Sequence, residues 1–428
     1  PSVVNPDPVI LSTFQFYGPL SDPFQRRSEL DAQVRDWPMP DPRWQEGIIP
    51  KPWALSFNVD GVFSGRDGDL DMPVFLLNLP DSTGGSLSLK AHISIAWGEK
   101  GMQLEIEHMT AQDESRQQEI LSGASFSLSS KGSRLMEVEH LNLGGLTMIA
   151  TSIPALSAFI GRALMQVSPV GSIDALRVFD SPGPGFEAEG LIREVGWSAE
   201  GDIPSVQGLN GHFQWSDNEG ILTPDDTPVR IHTEAWHDNP FPLSRVTGSL
   251  HLLKHQYGWR VEGRDLYIIT DDFEFAGDFA TYSDVQRHWW LELEVSGHGG
   301  METREVLESL PDRVFSSELM SWLHQSLKGG EVTGVHATMH GLLKDFPYRD
   351  HPNRFLIEGE WRNGALAYAS SWPELEHVNA RLVFRGPGIR VNAQQSGMAG
   401  LNVTSLSANI ADVENNPTIH IRGQLSGQ

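Results

Sequence analysis

The chain has 428 residues, with 31 Lys and Arg against 56 Asp and Glu, a formal net charge of −25 and no cysteine. Such a surface repels phosphate backbones and argues against nucleic acid as a partner. The lack of thiols excludes disulfides, thiol nucleophiles and cysteine-ligated metals.

The 42 Gly, 27 Pro and 13 Trp suit a turn-rich β protein better than a helical one. No apolar run approaches the ~18 residues that span a bilayer as a helix, and no signal peptide is visible. The sequence begins at Pro1 and ends amid strand-like residues, which is the expectation for a fragment of something longer.

Residues 1–50 are Pro-rich and weakly periodic, and Trp37-Pro38-Met39-Pro40-Asp41-Pro42 does not suit a central strand. This segment is expected to be a loop or edge lead-in. Residues 51–150, 151–300 and 301–428 follow as three successive β portions, the second opening with a short helix and the third with a helical insertion. Alternation starts near Trp53 and runs to about Leu143. It is clearest in Ser86–Ile106, where Leu87, Leu89, Ala91, Ile93, Ile95 and Trp97 fall on one parity and Ser86, Ser88, Lys90, His92 and Ser94 on the other. Gly98-Glu99-Lys100-Gly101 supplies a tight turn, and Met102, Leu104 and Ile106 resume the pattern, which predicts a β-hairpin.

Thr151-Ser152-Ile153-Pro154 reads as a helix start, followed by Ile153, Leu156, Phe159, Ile160 and Leu164 at helical spacing. A second helical stretch spans Thr303 to Leu327 and is split by Pro311. Its second half carries the stripe Leu319, Trp322, Leu323 and Leu327 and ends at Gly329-Gly330. These stripes predict packing on a sheet, since neither has the basic polar face of a membrane-surface helix. Hairpin-like segments recur from Val206, Val246, Val332 and Val378, so one construction unit is reused along the chain without a strict period.

Catalytic signatures are lacking: no G-x-S-x-G, phosphate-binding loop or H-E-x-x-H occurs. His336 and His340 share a strand face but lie ~13 Å apart, too far to hold one ion. Asp67-Gly68-Asp69-Leu70-Asp71 starts like a calcium loop but has Met72 and Asn78 where glycine and glutamate are needed, so it reads as a solvated acidic turn. Asp225-Asp226 and Asp271-Asp272 are pairs that any acid-rich chain supplies by chance. The sequence therefore points to a protein that is not an enzyme and has no metal or cofactor. Trp97, Trp215, Trp259, Trp361 and Trp372 raise the alternative of a carbohydrate-binding module, but most of them share parity with aliphatic residues, whereas sugar platforms favour a polar face.

The C-terminal third carries a recognisable order: Leu310-Pro311, Trp322-Leu323, Gly329-Gly330, Gly334, Gly341, Asp345-Phe346-Pro347-Tyr348, Phe355, Gly364-Ala365, Tyr368 and Trp372-Pro373-Glu374-Leu375. With VSPVGSIDALRV, VGWSAEGDIPSVQGLNGHF and FPLSRVTGSLHLL upstream, it resembles the YhdP family of AsmA-like, TamB-related proteins of Gram-negative bacteria, over about residues 86–425. The resemblance implies a bridge-like lipid transporter in the periplasm, anchored to the inner membrane by a helix absent from this sequence. Its partners would be phospholipids and, through parts absent here, the inner and outer membranes.

The expected fold is mainly β, an elongated, twisted antiparallel sheet curled into a hydrophobic groove with a few short helices. The expected groove lining is Leu87, Leu89, Ile93, Ile95, Trp97, Leu104, Ile106, Phe213, Trp215, Leu250, Leu252, Trp259, Val261, Phe355, Ile357, Trp361, Leu382, Phe384, Ile389 and Val391. Around Phe346 and Trp372 the expectation is structural scaffold. Alternation is the same for an open groove and for a non-enzymatic scaffold whose apolar face is a closed core, so periodicity leaves both open.

Overall fold

The computed structural model describes residues 9–17, 27–39, 53–64, 67–80, 86–113, 117–152, 167–183, 185–199, 204–232, 241–255, 258–270, 273–286, 288–308, 310, 317–367, 372–413 and 415–426. The fold is mainly β, a long antiparallel sheet with three short helices. It divides into two compact units, Pro1–Ser198 with Asn210–Asp217, and Ala199–Leu209 with Asn218–Gln428.

The first unit is a meander of β1 (Val9–Tyr17), β2 (Arg27–Met39), β3 (Trp53–Ser64), β4 (Asp67–Pro80), β5 (Ser86–Gly98), β6 (Gly101–Gln112), β7 (Gln117–Ser129), β8 (Arg134–Asn142), β9 (Val170–Ser181) and β10 (Gly185–Trp197). Each strand pairs antiparallel with the next. The hairpin read at Ser86–Ile106 is present, closed by the Gly98↔Gly101 pair. Gly101 has φ 137°, and a Cβ there would meet Leu128 O at 2.0 Å, so glycine is required. In the Pro-rich lead-in, β2 is flanked by β1 and β3 up to Arg35, while Pro38 pairs with β3 at Ala54.

The structure has a helix that the sequence reading did not predict. It is α1 (Leu143–Ser152), with Asn142 Oδ1 accepting the Gly145 N–H at 2.9 Å. Thr151 and Ser152 are its last residues. The stripe from Ile153 to Leu164 lies outside the described residues. Gly144-Gly145, poor helix formers, hid α1 from the sequence reading.

β11 (Ser205–Ser216) contributes residues to both units. The second unit continues with β12 (Glu219–Pro224), β13 (Val229–His232), β14 (Phe241–Leu243), β15 (Arg245–His255), β16 (Gly258–Ile269), β17 (Glu274–Ser283), β18 (Trp289–His298) and β19 (Gly300–Glu302). Next come α2 (Thr303–Glu308), α3 (Ser317–Ser326), β20 (Leu327–Lys328), β21 (Glu331–Leu342), β22 (Phe355–Leu366), β23 (Leu375–Arg385), β24 (Gly388–Met398), β25 (Leu401–Asp412) and β26 (Asn416–Ser426). Strand neighbours run β12–β15–β16–β17–β18–β21–β22–β23–β24–β25–β26, all antiparallel. Both helices of the predicted insertion lie in the β18–β21 connection, and Leu327 falls just past α3, in β20.

A repeated local device interrupts this regularity. Glu194, Asp265 and Asn363 adopt left-handed φ of 49°, 50° and 50° inside strands, at register shifts in the ladders. Each follows an arginine and gives its N–H to a side chain on the next strand: Asn210 Oδ1 at 2.9 Å, Asp278 Oδ1 at 2.7 Å and Asn379 Oδ1 at 3.0 Å. β-Bulges of this kind bend a strand and raise its twist. Asn210 is buried, so water cannot replace its acceptor. Asn210→Ala is expected to lower stability by about 1–3 kcal/mol in urea unfolding. A loss too small to measure would show that the bulge holds without this hydrogen bond.

Candidate functional site

In the first unit, Leu70, Ile95, Leu104, Phe126, Met136, Val178 and Ala188 are successive cross-strand partners from β4 to β10. Directly opposed residues share a face, so they form one apolar row. Trp97–Met102–Leu128 lies on one side of it, and Ile93–Ile106–Ala124–Val138–Leu176 on the other. Phe213 also belongs here, since a Cβ at Gly190 would lie 2.9 Å from its ring and 3.1 Å from Ile173. Trp215 is half-buried on the same parity of β11.

Cover on this face is partial. Met148 and Ile149 of α1 pack on Leu87, Leu89, Ala111 and Ile120, which makes Leu87 and Leu89 helix-covered core and removes them from any open lining. Ile93 is also buried, whereas Ile95, Trp97, Leu104 and Ile106 are only half-buried. Among the described residues no second sheet packs on them.

The opposite face is charged. Asp71, Ser94, Glu105, Ser125, Glu137, Arg177 and Glu189 are successive partners across the same strands. The acidic run at Asp67–Asp71 is the start of β4, not a turn, and alternation puts all three carboxylates on this face. His92 stands here between Asp71 Oδ1, 2.9 Å from Nε2, and Glu107 Oε2, 2.7 Å from Nδ1. Carboxylates on opposite edges of the ring favour the imidazolium. The hydrogen bonds to Asp71 and then Glu107 raise its pKa above the ordinary 6.5.

In the second unit, Leu222, Leu250, Gly263, Phe279, Leu293, Met339 and Phe355 form an apolar row from β12 to β22. Leu252, Val261, Thr281, Leu291 and Gly341 run beside it, and Trp259, next to Val261 in β16, is 40% exposed. Towards the C-terminus the rows become Ile357–Phe384–Ile389–Ile410–Ile419 and Leu382–Val391–Ala408–Ile421.

Helices α2 and α3 cover this end. Leu307 and Leu323 pack on Ile410 and Val413. Their anchor is a buried polar node: Trp361 Nε1–H donates to Thr303 Oγ1 at 2.8 Å, and that hydroxyl donates to Gly329 O at 2.6 Å. Trp361 is 1% exposed and is core, not open lining. A Cβ at Gly364 would stand 2.1 Å from its indole.

Between helices and sheet lies a cavity of about 140 Å³, bounded by Val306, Leu307, Leu310, Leu323, Val335, Phe346, Pro347, Phe355, Ile357, Leu382, Phe384, Pro387, Ile389 and Val413 among others. Left empty, such a volume costs about 3 kcal/mol at ~24 cal/mol per Å³. Five predicted lining residues, Phe355, Ile357, Leu382, Phe384 and Ile389, meet here. Phe346, expected to be scaffold, joins the wall, while Trp372 is 60% exposed. Sequence reading missed Val306, Leu307 and Pro387, because only tertiary structure brings them together.

Beside the cavity wall Tyr348 folds over Gly341, where a Cβ would meet its ring at 2.5 Å. Its hydroxyl is buried without a hydrogen-bond partner, and burial pushes the phenol up to about 12.

The charged face of this unit is interlocked. Glu262 sits between Arg260 and Arg264, and Arg260 first, with Arg264 after it, holds the carboxyl below its usual range. Trp290 lies on this polar face, stacked parallel to Tyr282 at 6.3 Å, with the Arg354 guanidinium 5.9 Å from its ring and Arg260 over Tyr282 at 4.9 Å. His336 and His340 reach Ser296 and Glu292 respectively, and Asp226 pairs with Arg245 at 2.6 Å. Asp271-Asp272 lies outside the described residues. Among the described residues no group of three or more His, Asp or Glu could hold a metal ion, and no helix is long and apolar enough to cross a membrane.

A mainly β chain, with an antiparallel sheet apolar on one face and charged on the other, is what these elements define. A sequence model described as YhdP protein matches residues 81–428, and the chain belongs to that family. It is similar, at 21% identity over 283 residues, to the intermembrane phospholipid transporter YhdP of Escherichia coli (strain K12). That match takes in 65% of this chain and 22% of the relative, so the chain spans about a fifth of the relative's length. No solved structure matches the chain.

Two substitutions test the local chemistry. A raised histidine pKa contributes stability that is complete below the unfolded value and is lost as pH rises through the folded one. The wild type should therefore lose urea resistance between pH 5.5 and pH 8.5 relative to His92→Gln, and parallel profiles would show that the two carboxylates do not hold the ring charged. Tyr348→Phe removes an unpartnered buried hydroxyl, so stability should hold or rise by about 1 kcal/mol. A marked fall in the urea midpoint would reveal a hydrogen bond to that oxygen.

Proposed function

We propose that this chain is a section of an intermembrane phospholipid transporter, and that the apolar face of each unit's sheet cradles acyl chains. The observation that carries this reading is the partial cover of those faces. Ile95, Leu104, Phe279, Leu293 and Phe355 are half-buried in rows several strands wide, and among the described residues helices shield only part of each face. Family membership and the name of the Escherichia coli relative support the choice of ligand. The chain would work in the cell envelope, between the inner and outer membranes, with no catalytic step.

The physics suits conduction. Burying an acyl chain contributes ~0.8 kcal/mol per methylene, and the interaction has no direction, so a lipid can shift between equivalent positions along a row. The charged residues occupy the other face, so anionic headgroups need not approach Glu105, Glu137 or Glu189. A scaffold with a closed apolar core is the competing reading.

A photo-crosslinking residue placed at Ile95, with Ser94 on the charged face as control, separates the two. Ile95 should capture phospholipid that co-purifies with the washed protein or is supplied as phosphatidylethanolamine vesicles, and Ser94 should not. Folded, delipidated protein that captures none at either position would return this face to ordinary core.

A further inference from the structure

Resting on that reading, we propose that the cavity beneath α2 and α3 is a blind receptacle for the methyl end of one acyl chain. A lipid bound at this end of the second unit then enters tail-first, with its headgroup held back along the apolar rows.

Size and chemistry select the occupant. A cavity of about 140 Å³ is close to the ~150 Å³ apolar cavity that stays dry and takes up benzene. By that comparison it has room for a short run of methylenes, about the carbon count of benzene. That is too little for a headgroup, a whole lipid or a helix of another protein. Its wall offers no free polar group. The Thr303 hydroxyl is spent between Trp361 and Gly329, and the Glu358 carboxylate is bound by Arg381. A ligand that brought a polar atom here would leave it unpaired, which is costly in an apolar enclosure. Only the hydrocarbon end of a chain fits.

The position makes it an end rather than a passage. Val306 and Leu323 form the roof, Ile357 and Leu382 belong to the sheet, and Phe346 and Pro387 complete the wall. The roof is tied down by the Thr303–Trp361 node and by a second backbone bond, Thr303 N–H to Gly330 O at 3.1 Å. Phe355 belongs both to the cavity wall and to the row that begins at Leu222, so an acyl chain lying on that row is led to the cavity.

The test uses two phosphatidylethanolamines in vesicles, one with a diazirine at the methyl end of an acyl chain and one with it beside the ester carbonyl. After irradiation with the intact chain, adducts are mapped by mass spectrometry. The methyl-end probe should label Val306, Ile357 or Leu382 several-fold more than the ester-side probe, which should label the open rows. Val306→Trp, filling the cavity, should abolish that labelling and leave adducts around Ile95 and Leu293, and Leu382→Phe provides a milder filling if the first variant misfolds. Equal labelling of the cavity by both probes, or methyl-end adducts confined to the open rows, overturns the receptacle while the lipid reading stands. No adduct from either probe anywhere overturns both.

Discussion

The constraint on which the structure depends is the two-residue period of the β-strand applied across neighbouring strands. Once the hydrophobic pattern fixes the register, most apolar side chains are committed to one face and most charges to the other. Ile95 then meets Leu70 and Leu104, and Ser94 meets Asp71 and Glu105. A sheet made this way leaves a long apolar surface to cover. Among the described residues it is covered locally, with α1 over Leu87 and Leu89 and with α2 and α3 over Ile410 and Val413. Between these places the side chains stay half-buried, and the proposed function begins there.

Bulges supply what a regular ladder lacks. Glu194, Asp265 and Asn363 each take a left-handed conformation that costs about 1–3 kcal/mol, and each is held by a hydrogen bond from its own N–H to a side-chain oxygen one strand away. Two of the three are Asp or Asn, which tolerate that conformation best after glycine. Because the bend is built into the backbone, curvature of the strands does not depend on a second sheet pressing on the apolar side.

Much of this was legible in the sequence, for a physical reason. Alternation is local, so Ser86–Ile106 announces its hairpin and its faces, and Trp361 shares the parity of Phe355 and Ile357 that the register later confirms. What failed were features whose local signal is ambiguous. Leu143 continues the strand parity of Leu141 but opens α1. Asp67, Asp69 and Asp71 look like turn residues but alternate correctly for a strand. The cavity had no local signal, since Val306, Phe346, Leu382 and Pro387 come from separate elements. An Arg followed by Glu, Asp or Asn at positions 193, 264 and 362 was the one readable trace of the bulges, visible only once their geometry is known.

The charge and the proposed ligand are reconciled by the same two-sidedness. A chain of net charge −25 is a poor partner for anionic lipids if its acids surround the binding surface. Here Asp71, Glu105, Glu137 and Glu189 line up on the face turned away from Ile95 and Leu104, and part of that charge is neutralised in place by Arg177. On the proposed reading the acidic face stays hydrated and discourages edge-on association, while the apolar face would hold hydrocarbon by area alone. Area-proportional binding gives movement without direction. A blind apolar end is one of the few devices that gives such a surface polarity, because it distinguishes the methyl end of a chain from its ester end by excluding everything that needs a hydrogen bond.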